Sequence, residues 1–433
     1  MNALSRINLS RINLTRLARA LAALVVPLAL AACSAPSPQG SRELAGTVYV
    51  YIGLNPDNQS KKLQDRHLRS VLGRFIKEFR QIHPKVGVQL LFFPEADLQA
   101  ELIRRDRTGL GPDLMLVNGS SALAMHRAGM TRTVQLPEAV SSQVQPTMLR
   151  GFQTKGGWSA VPVFSLPQVA CYDRKVLKNA PQTLEDLLTV SARGAPIGLS
   201  LEPADLYWSA GGLGATTALQ HLLQPQRASA TTTKLLPADR AGLLRWLSWL
   251  DQASNQQRVT FYGSTDDLLS ALLKGDLAWI ACRGRHIALL QREMGPRLGV
   301  APLPSGPEGP ASPIARLRVW AFGRDSSPNQ RDISQALAEF SLNPLVQRAA
   351  TVGSNDALPV NRYVNVPIAS SQVLAALEKG MAQSQAYDLF NVNLIEGDPR
   401  EALLREVLTT MIFGAADGPQ AVEMLIQRLA HLP

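Results

Sequence analysis

The sequence predicts an α/β protein of two lobes, each a mixed, mostly parallel sheet flanked by helices. Three observations lead there. The chain has 433 residues, too many for one average domain. Strand-like and helix-like patterns alternate along most of it, and that alternation implies parallel crossovers. Between two such runs lies the stretch Trp158 to Asp173, where Pro162 and Pro167 interrupt a strand-like series of Val161, Val163, Phe164, Leu166, Val169 and Cys171. Proline cannot donate to a sheet ladder. The stretch therefore fits an extended crossover from one sheet into another, and equally a single strand with edge prolines.

Hydrophobic residues make up 45% of the chain and charged residues 18%, the composition of an ordinary soluble globular protein. The first 32 residues stand outside the fold. Arg6, Arg11, Arg16 and Arg19 form a basic region, and Leu21 to Ala32 an apolar one too short to span a membrane. This pattern reads as a secretion signal. It ends in Leu30-Ala31-Ala32-Cys33, which resembles the bacterial lipobox, so Cys33 is the expected lipidation site and lipid-anchored N-terminus. Loss of four arginines would lower the net charge from +10 to +6. That mild charge, without a basic stripe interleaved with aromatics, argues against nucleic acid. An exported chain permits a disulfide between Cys171 and Cys282; buried free thiols remain the alternative.

Residues 33–44, rich in serine with Pro36, Pro38 and Gly40, read as a flexible tether. Thr47 to Ile52 is a β-branched and aromatic strand ending near Asn55-Pro56. Leu68, Val71, Leu72, Phe75, Ile76, Phe79 and Ile82 recur at helical spacing up to Pro84. Val86 to Phe93 reads as a strand, Glu95 to Arg107 as a helix, and Gly111 to Asn118 as the third strand. Asn118, Ser120 and Ser121 then open a short helix ending at Gly129. Ligands of open α/β sheets gather beyond the carboxyl ends of strands, where Asn55 and Asn118 to Ser121 fall; for Ser120 or Ser121 taken singly, helix capping is the better account.

Past the crossover, Thr183 with Asp186 predicts a capped helix start and Ile197 to Leu201 a strand. Tyr207 and Trp208 precede glycines 211, 212 and 214, a cluster expected to be flexible and lacking the lysine and spacing of a P-loop. Ala238 to Ala253 is helical. Ser264 to Arg285 reads as a helix with acidic residues in its first turn, closed by Lys274-Gly275, then a buried strand with Arg283 and Arg285 at its carboxyl end. These arginines suit ligand contact, solvation or pairing with a carboxylate. Leu317 to Phe322 is a further strand, and helices cover Gln330 to Leu342, Arg400 to Phe413 and Pro419 to Leu429.

Several motifs stand in one order: Phe79 to Pro84, Gly111-Pro112-Asp113-Leu114, Tyr172-Asp173 through Pro181 to Glu185, Gly275-Asp276, Val300 to Pro304, and Ser327-Pro328-Asn329. Together they resemble the extracellular solute-binding proteins of ABC importers, in particular the maltose-binding-protein group with its sugar, polyol and glycerol-phosphate binders. The resemblance implies a periplasmic-binding-protein-like fold, with 45–163 and 303–356 in an N-terminal lobe and 166–300 and 357–433 in a C-terminal lobe. It implies a ligand cleft at Asn55, Asn118, Phe164, Ser165, Tyr207, Trp208, Arg283, Arg285 and Arg318, no cofactor or metal, a permease partner and a monomeric, membrane-tethered receptor in the periplasm or on the cell's outer face. Arg285 stands where the family often has a sugar-stacking tryptophan, and Arg400-Glu401 where it has an aromatic pair. A small polyol, or a phosphorylated or carboxylated derivative held by arginine, is therefore expected over a long oligosaccharide.

An enzyme and a structural or receptor lipoprotein are the competing classes. The six histidines show no metal-ligand spacing, and neither a Gly-x-Ser-x-Gly elbow nor a His-Glu-x-x-His helix occurs.

Overall fold

The computed structural model describes residues 43–54, 61–106, 109, 111–223, 235–387 and 399–430. Asn55, Cys33, the secretion signal and most of the tether lie outside them. Strand β1 (Gly46–Leu54) is followed by α1 (Lys61–Ile82), β2 (Val86–Pro94), α2 (Leu98–Asp106), β3 (Leu114–Asn118) and α3 (Gly119–Arg127). β1 pairs in parallel with both β2 and β3, as the alternating pattern requires. β4 (Thr131–Arg132), the hairpin β5 (Gln153–Thr154) and β6 (Gly157–Trp158), and β7 (Val161–Leu166) follow.

β8 (Gln168–Asp173) begins one residue after β7 ends, yet belongs to a different sheet. Pro167 fills the gap, so the extended-crossover reading of this stretch holds. Pro162 sits inside β7 at a register shift opposite Arg318 and Val319, and a bulge spares the ladder a donor that proline lacks. The next elements are α4 (Leu184–Ala192), β9 (Ile197–Ser200), α5 (Pro203–Leu206), α6 (Trp208–Gly211), α7 (Thr216–Leu223) and α8 (Pro237–Ser254). After them come β10 (Val259–Tyr262), α9 (Thr265–Lys274), β11 (Trp279–Arg283), α10 (Ile287–Met294) and β12 (Leu298–Ala301). Thr183 and Asp186 form a reciprocal capping box on α4, and Gly275 ends α9 at φ 88°, a conformation that suits glycine.

The chain returns through residues 302–315 to β13 (Arg316–Gly323), then α11 (Pro328–Ser341), α12 (Pro344–Ser354) and β14 (Leu358–Pro359). The last helices are α13 (Gln372–Ala386), α14 (Pro399–Ile412) and α15 (Gly418–Ala430). Sheet I has the order β14-β7-β13-β3-β1-β2, with β4 beside β13; sheet II has the order β10-β9-β11-β8-β12. β14 pairs with β7 in sheet I, two residues beyond the lobe boundary expected at 356. Both sheets lie in one compact unit, Leu44–Pro433. One apolar cluster runs from the core of sheet I onto the face of sheet II bearing Val169, Cys171, Ile280 and Cys282; a second, with Trp208, Trp246 and Trp279, fills the other face.

Cys171 and Cys282 form a disulfide with a Cα–Cα distance of 5.8 Å. It runs diagonally between antiparallel neighbours, since Cys171 faces Ile280 and Cys282 faces Val169. The bridge ties the strand that enters sheet II from the crossing to the strand that ends in Arg283.

Candidate functional site

At the carboxyl ends of β1, β2 and β3, one arginine holds three strands together. Arg318 Nη1 donates to Glu95 Oε2 at 2.8 Å and Asn118 Oδ1 at 3.1 Å. Its Nη2 donates to the carbonyl oxygens of Gly53 and Leu116, both at 2.8 Å. Four of the five guanidinium N–H bonds are thereby used. Glu95 Oε1 accepts in turn from the Asn118 amide at 2.7 Å and from Ser121 Oγ at 2.6 Å. A Cβ on Gly53 would lie 2.9 Å from Glu95 Oε2, so glycine is what lets the carboxylate approach. Asn118 and Ser121, expected to meet a ligand or cap α3, brace this wall with their side chains.

Sheet II presents a second wall at the ends of β9, β10 and β11, organised by Asp205 of α5, whose side chain is 4% exposed. Asp205 accepts from Arg283 Nε at 2.9 and 3.1 Å and is ion-paired with Arg283 Nη2. It also accepts from Arg316 Nη2 at 3.0 Å, Thr265 Oγ1 at 2.6 Å and Gln168 Nε2 at 3.1 Å. Burial alone would raise this carboxyl, but Arg283 and Arg316 hold it far below the usual carboxylate range. Burial, with Arg283 and Arg285 nearby, brings the Arg316 guanidinium down to about 10. Glu202, the residue before α5, is raised by burial and pairs with Arg405 of α14, which also reaches Glu401.

Arg316 and Arg318 are alternate residues of β13, hence on one face. Arg318 reaches wall I and Arg316 reaches wall II. The two walls are thus joined by a single strand.

Sequence reasoning missed Glu95, Asp205 and Arg316. An acidic residue opening a helical turn is adequately explained by the helix dipole, which concealed the two carboxylates. The alternation Arg316-Leu317-Arg318 in a buried strand was the available signal for the third. Arg283 ends β11 at this wall and is paired with a carboxylate. Half-buried Arg285 follows it, its Nε 3.1 Å from His286 Nε2. Ser120 is exposed on α3.

Four expected contacts lie elsewhere. Tyr207 and Trp208 are each 1% exposed; Trp208 packs against Trp249 and Trp279, and Tyr207 donates to the Thr216 carbonyl. Neither leaves a ring face for a ligand, because these aromatics fill the core of sheet II. Ser165 is fully buried against Met381. Phe164 lines an apolar hollow with Phe75, Leu116 and Trp320, between α1 and α12. The glycines after Trp208 are not a flexible cluster: a Cβ on Gly211 would lie 2.7 Å from the Pro310 oxygen and one on Gly212 2.6 Å from the Gly306 nitrogen. They are glycine because the returning chain packs backbone to backbone there.

Among the described residues no three His, Cys, Asp or Glu side chains are grouped to hold a metal, and no helix is long and apolar enough to cross a membrane.

A family model described as bacterial extracellular solute-binding protein matches residues 74–372. No curated protein matches the sequence. Among solved structures, the GacH receptor of Streptomyces glaucescens, studied with acarbose, superposes with a TM-score of 0.68 at 17% identity, covering 89% of this chain and 98% of that one. The sugar-binding protein MalE of Xanthomonas citri gives 0.63 at 17% identity, covering 89% and 96%. A solute-binding protein of Thermotoga lettingae bound with α-D-tagatose gives 0.63 at 15% identity, covering 89% and 99%. These likenesses show the two-lobed fold of the maltose-binding proteins.

Proposed function

The chain belongs to the family of bacterial extracellular solute-binding proteins, and from that premise we propose that it captures a small polyhydroxy solute between the two walls for delivery to an ABC permease. The observation that carries this reading is the pair of arginine–carboxylate walls, each at the carboxyl ends of parallel strands and joined by β13. Such strand ends are where ligands of open α/β sheets gather. Carboxylates and guanidiniums held by one another present fixed acceptors and donors, which suit hydroxyl groups. Arg316 Nη1 is shielded and has no hydrogen-bond partner among the described residues; it is the donor left for a solute oxygen. Proteins of similar fold bind acarbose and tagatose, which favours a sugar or sugar derivative.

The role is binding without catalysis. In this reading the mature chain, tethered through Cys33, closes on its solute, and the closed form is what the permease recognises. Its lobes follow the sheets, changing at Pro167, between β12 and β13, and again between β14 and α13.

A thermal-shift panel of neutral sugars, polyols, and their phosphates and uronates tests the proposal. Stabilisation without turnover is the expected result; turnover of a stabilising compound refutes the binding role. With an anionic hit, Arg285→Ala is expected to weaken affinity more than tenfold, roughly 1.4 kcal/mol, measured by calorimetry.

A further inference from the structure

Asp205 touches more than the wall it stands in. Its four side-chain partners come from four places in the chain: Gln168 opens β8 immediately after the first crossing, Arg316 opens β13 at the second, Arg283 ends β11, and Thr265 opens α9. Arg316 faces Leu166 across the ladder, so both crossings reach sheet I side by side. Both also send a side chain back to the same carboxylate of sheet II. Two residues along β13, Arg318 is fixed to Glu95 and to the ends of β1 and β3.

We propose that Asp205 is a positioning residue that couples solute capture to movement of the two walls, the Arg316–Asp205 pair acting as a latch between sheets. The inference rests on reading the walls as two sides of one solute cleft. If wall II swings about the crossings, Asp205 moves with it while Arg316, anchored in sheet I, does not. The pair must then break, or the motion stays small. A carboxylate this buried does not give up a guanidinium readily, because desolvation penalises the ion left behind. Arg283 is the internal contrast: it donates to the same carboxylate but moves with it, both being carried by sheet II. Arg316 also links latch to ligand, since Nη2 holds Asp205 while Nη1 remains for a solute oxygen. A solute acceptor bound at Nη1 competes for the charge that holds the latch.

The test uses the full chain without solute. Small-angle scattering gives the radius of gyration, and hydrogen exchange reports opening of the peptides covering 164–170 and 312–318. Arg316→Gln and Asp205→Asn are expected to enlarge the radius and to speed exchange at both crossings about tenfold. Arg283→Gln removes one guanidinium from the same carboxylate within sheet II; it is expected to lower stability but to leave the radius of gyration at the wild-type value, with no opening specific to the two crossings. Arg316→Lys keeps the charge and is expected to retain most of the latch, which covers the case in which Arg316→Gln does not fold. Equal effects of the Arg283 and Arg316 variants, or no effect of either Arg316 variant, overturns the proposal. No solute enters these measurements, so a silent sugar panel and a failed latch are separate outcomes.

Discussion

Replacing Arg318 by methionine tests the architecture of wall I. The change keeps most of the side-chain volume and removes the guanidinium that satisfies Glu95, Asn118 and the carbonyls of Gly53 and Leu116. Glu95 and Arg318 side chains are 6% and 12% exposed, so the pair is too sheltered to be treated as a surface ion pair. Deleting one member of a buried pair typically costs about 3–5 kcal/mol, because the other ion is left uncompensated. Two carbonyls that lose a charged donor add up to about 1–3 kcal/mol each where water cannot replace it. These terms overlap, since water admitted for one group serves the others, and a total of about 4 kcal/mol is expected. Urea denaturation followed by tryptophan fluorescence measures it. Glu95→Gln combined with Arg318→Met should be less destabilised than the two single costs added together, because neither ion is then stranded. A single-variant cost below about 1 kcal/mol, the range of exposed pairs, or strict additivity of the two changes, would refute the account of wall I.

Two further outcomes follow from the same structure. Cys171→Ser with Cys282→Ser removes a bridge closing a loop with a sequence separation of 111, and chain-entropy arguments expect a loss of about 2–5 kcal/mol; equal urea midpoints for the variant and the oxidised protein would show that sheet II does not depend on it. Asp205 has a depressed folded-state pKa, so its stabilising effect is complete above the unfolded value of about 3.9 and is lost as pH falls toward the folded one. Midpoints measured from pH 5 down to 2.5 should therefore fall more steeply for the wild type than for Asp205→Asn, and parallel slopes would contradict the placement of that carboxylate.

Most of the architecture was legible in the residues. Helical spacing gave α1, a β-branched and aromatic run gave β1, and short apolar runs gave β3 and β11. The prolines drew attention to the crossing because a missing backbone donor is a local property, but they left a single edge strand equally open, and only Pro167 stands between the sheets. The site was less legible. Arg283 could be placed at a strand end and Arg318 only through the resemblance, and their partners Asp205 and Glu95 stand 78 and 223 residues away. Pairing at that range is decided by topology, which periodicity does not carry. Tyr207 and Trp208 show the reverse error: the resemblance put them in the cleft and the glycines after them were expected to be flexible, whereas Gly211 and Gly212 mark backbone contact with residues 306–312.

Arg405 supplies the counter-ion for Glu202 from a position 203 residues downstream. Wall II is therefore finished only when the last part of the chain has been made. A product cut short before α14 would retain every strand of both sheets, yet keep an acidic group beside Asp205 with its balancing charge gone. Premature stop codons late in the reading frame, which look harmless on a map of the sheets, should thus behave as folding lesions, because α14 and α15 bring Leu404, Val407, Leu408, Met411, Val422 and Leu425 into the apolar cluster of sheet II, and a purification tag is better placed where it leaves α14 undisturbed.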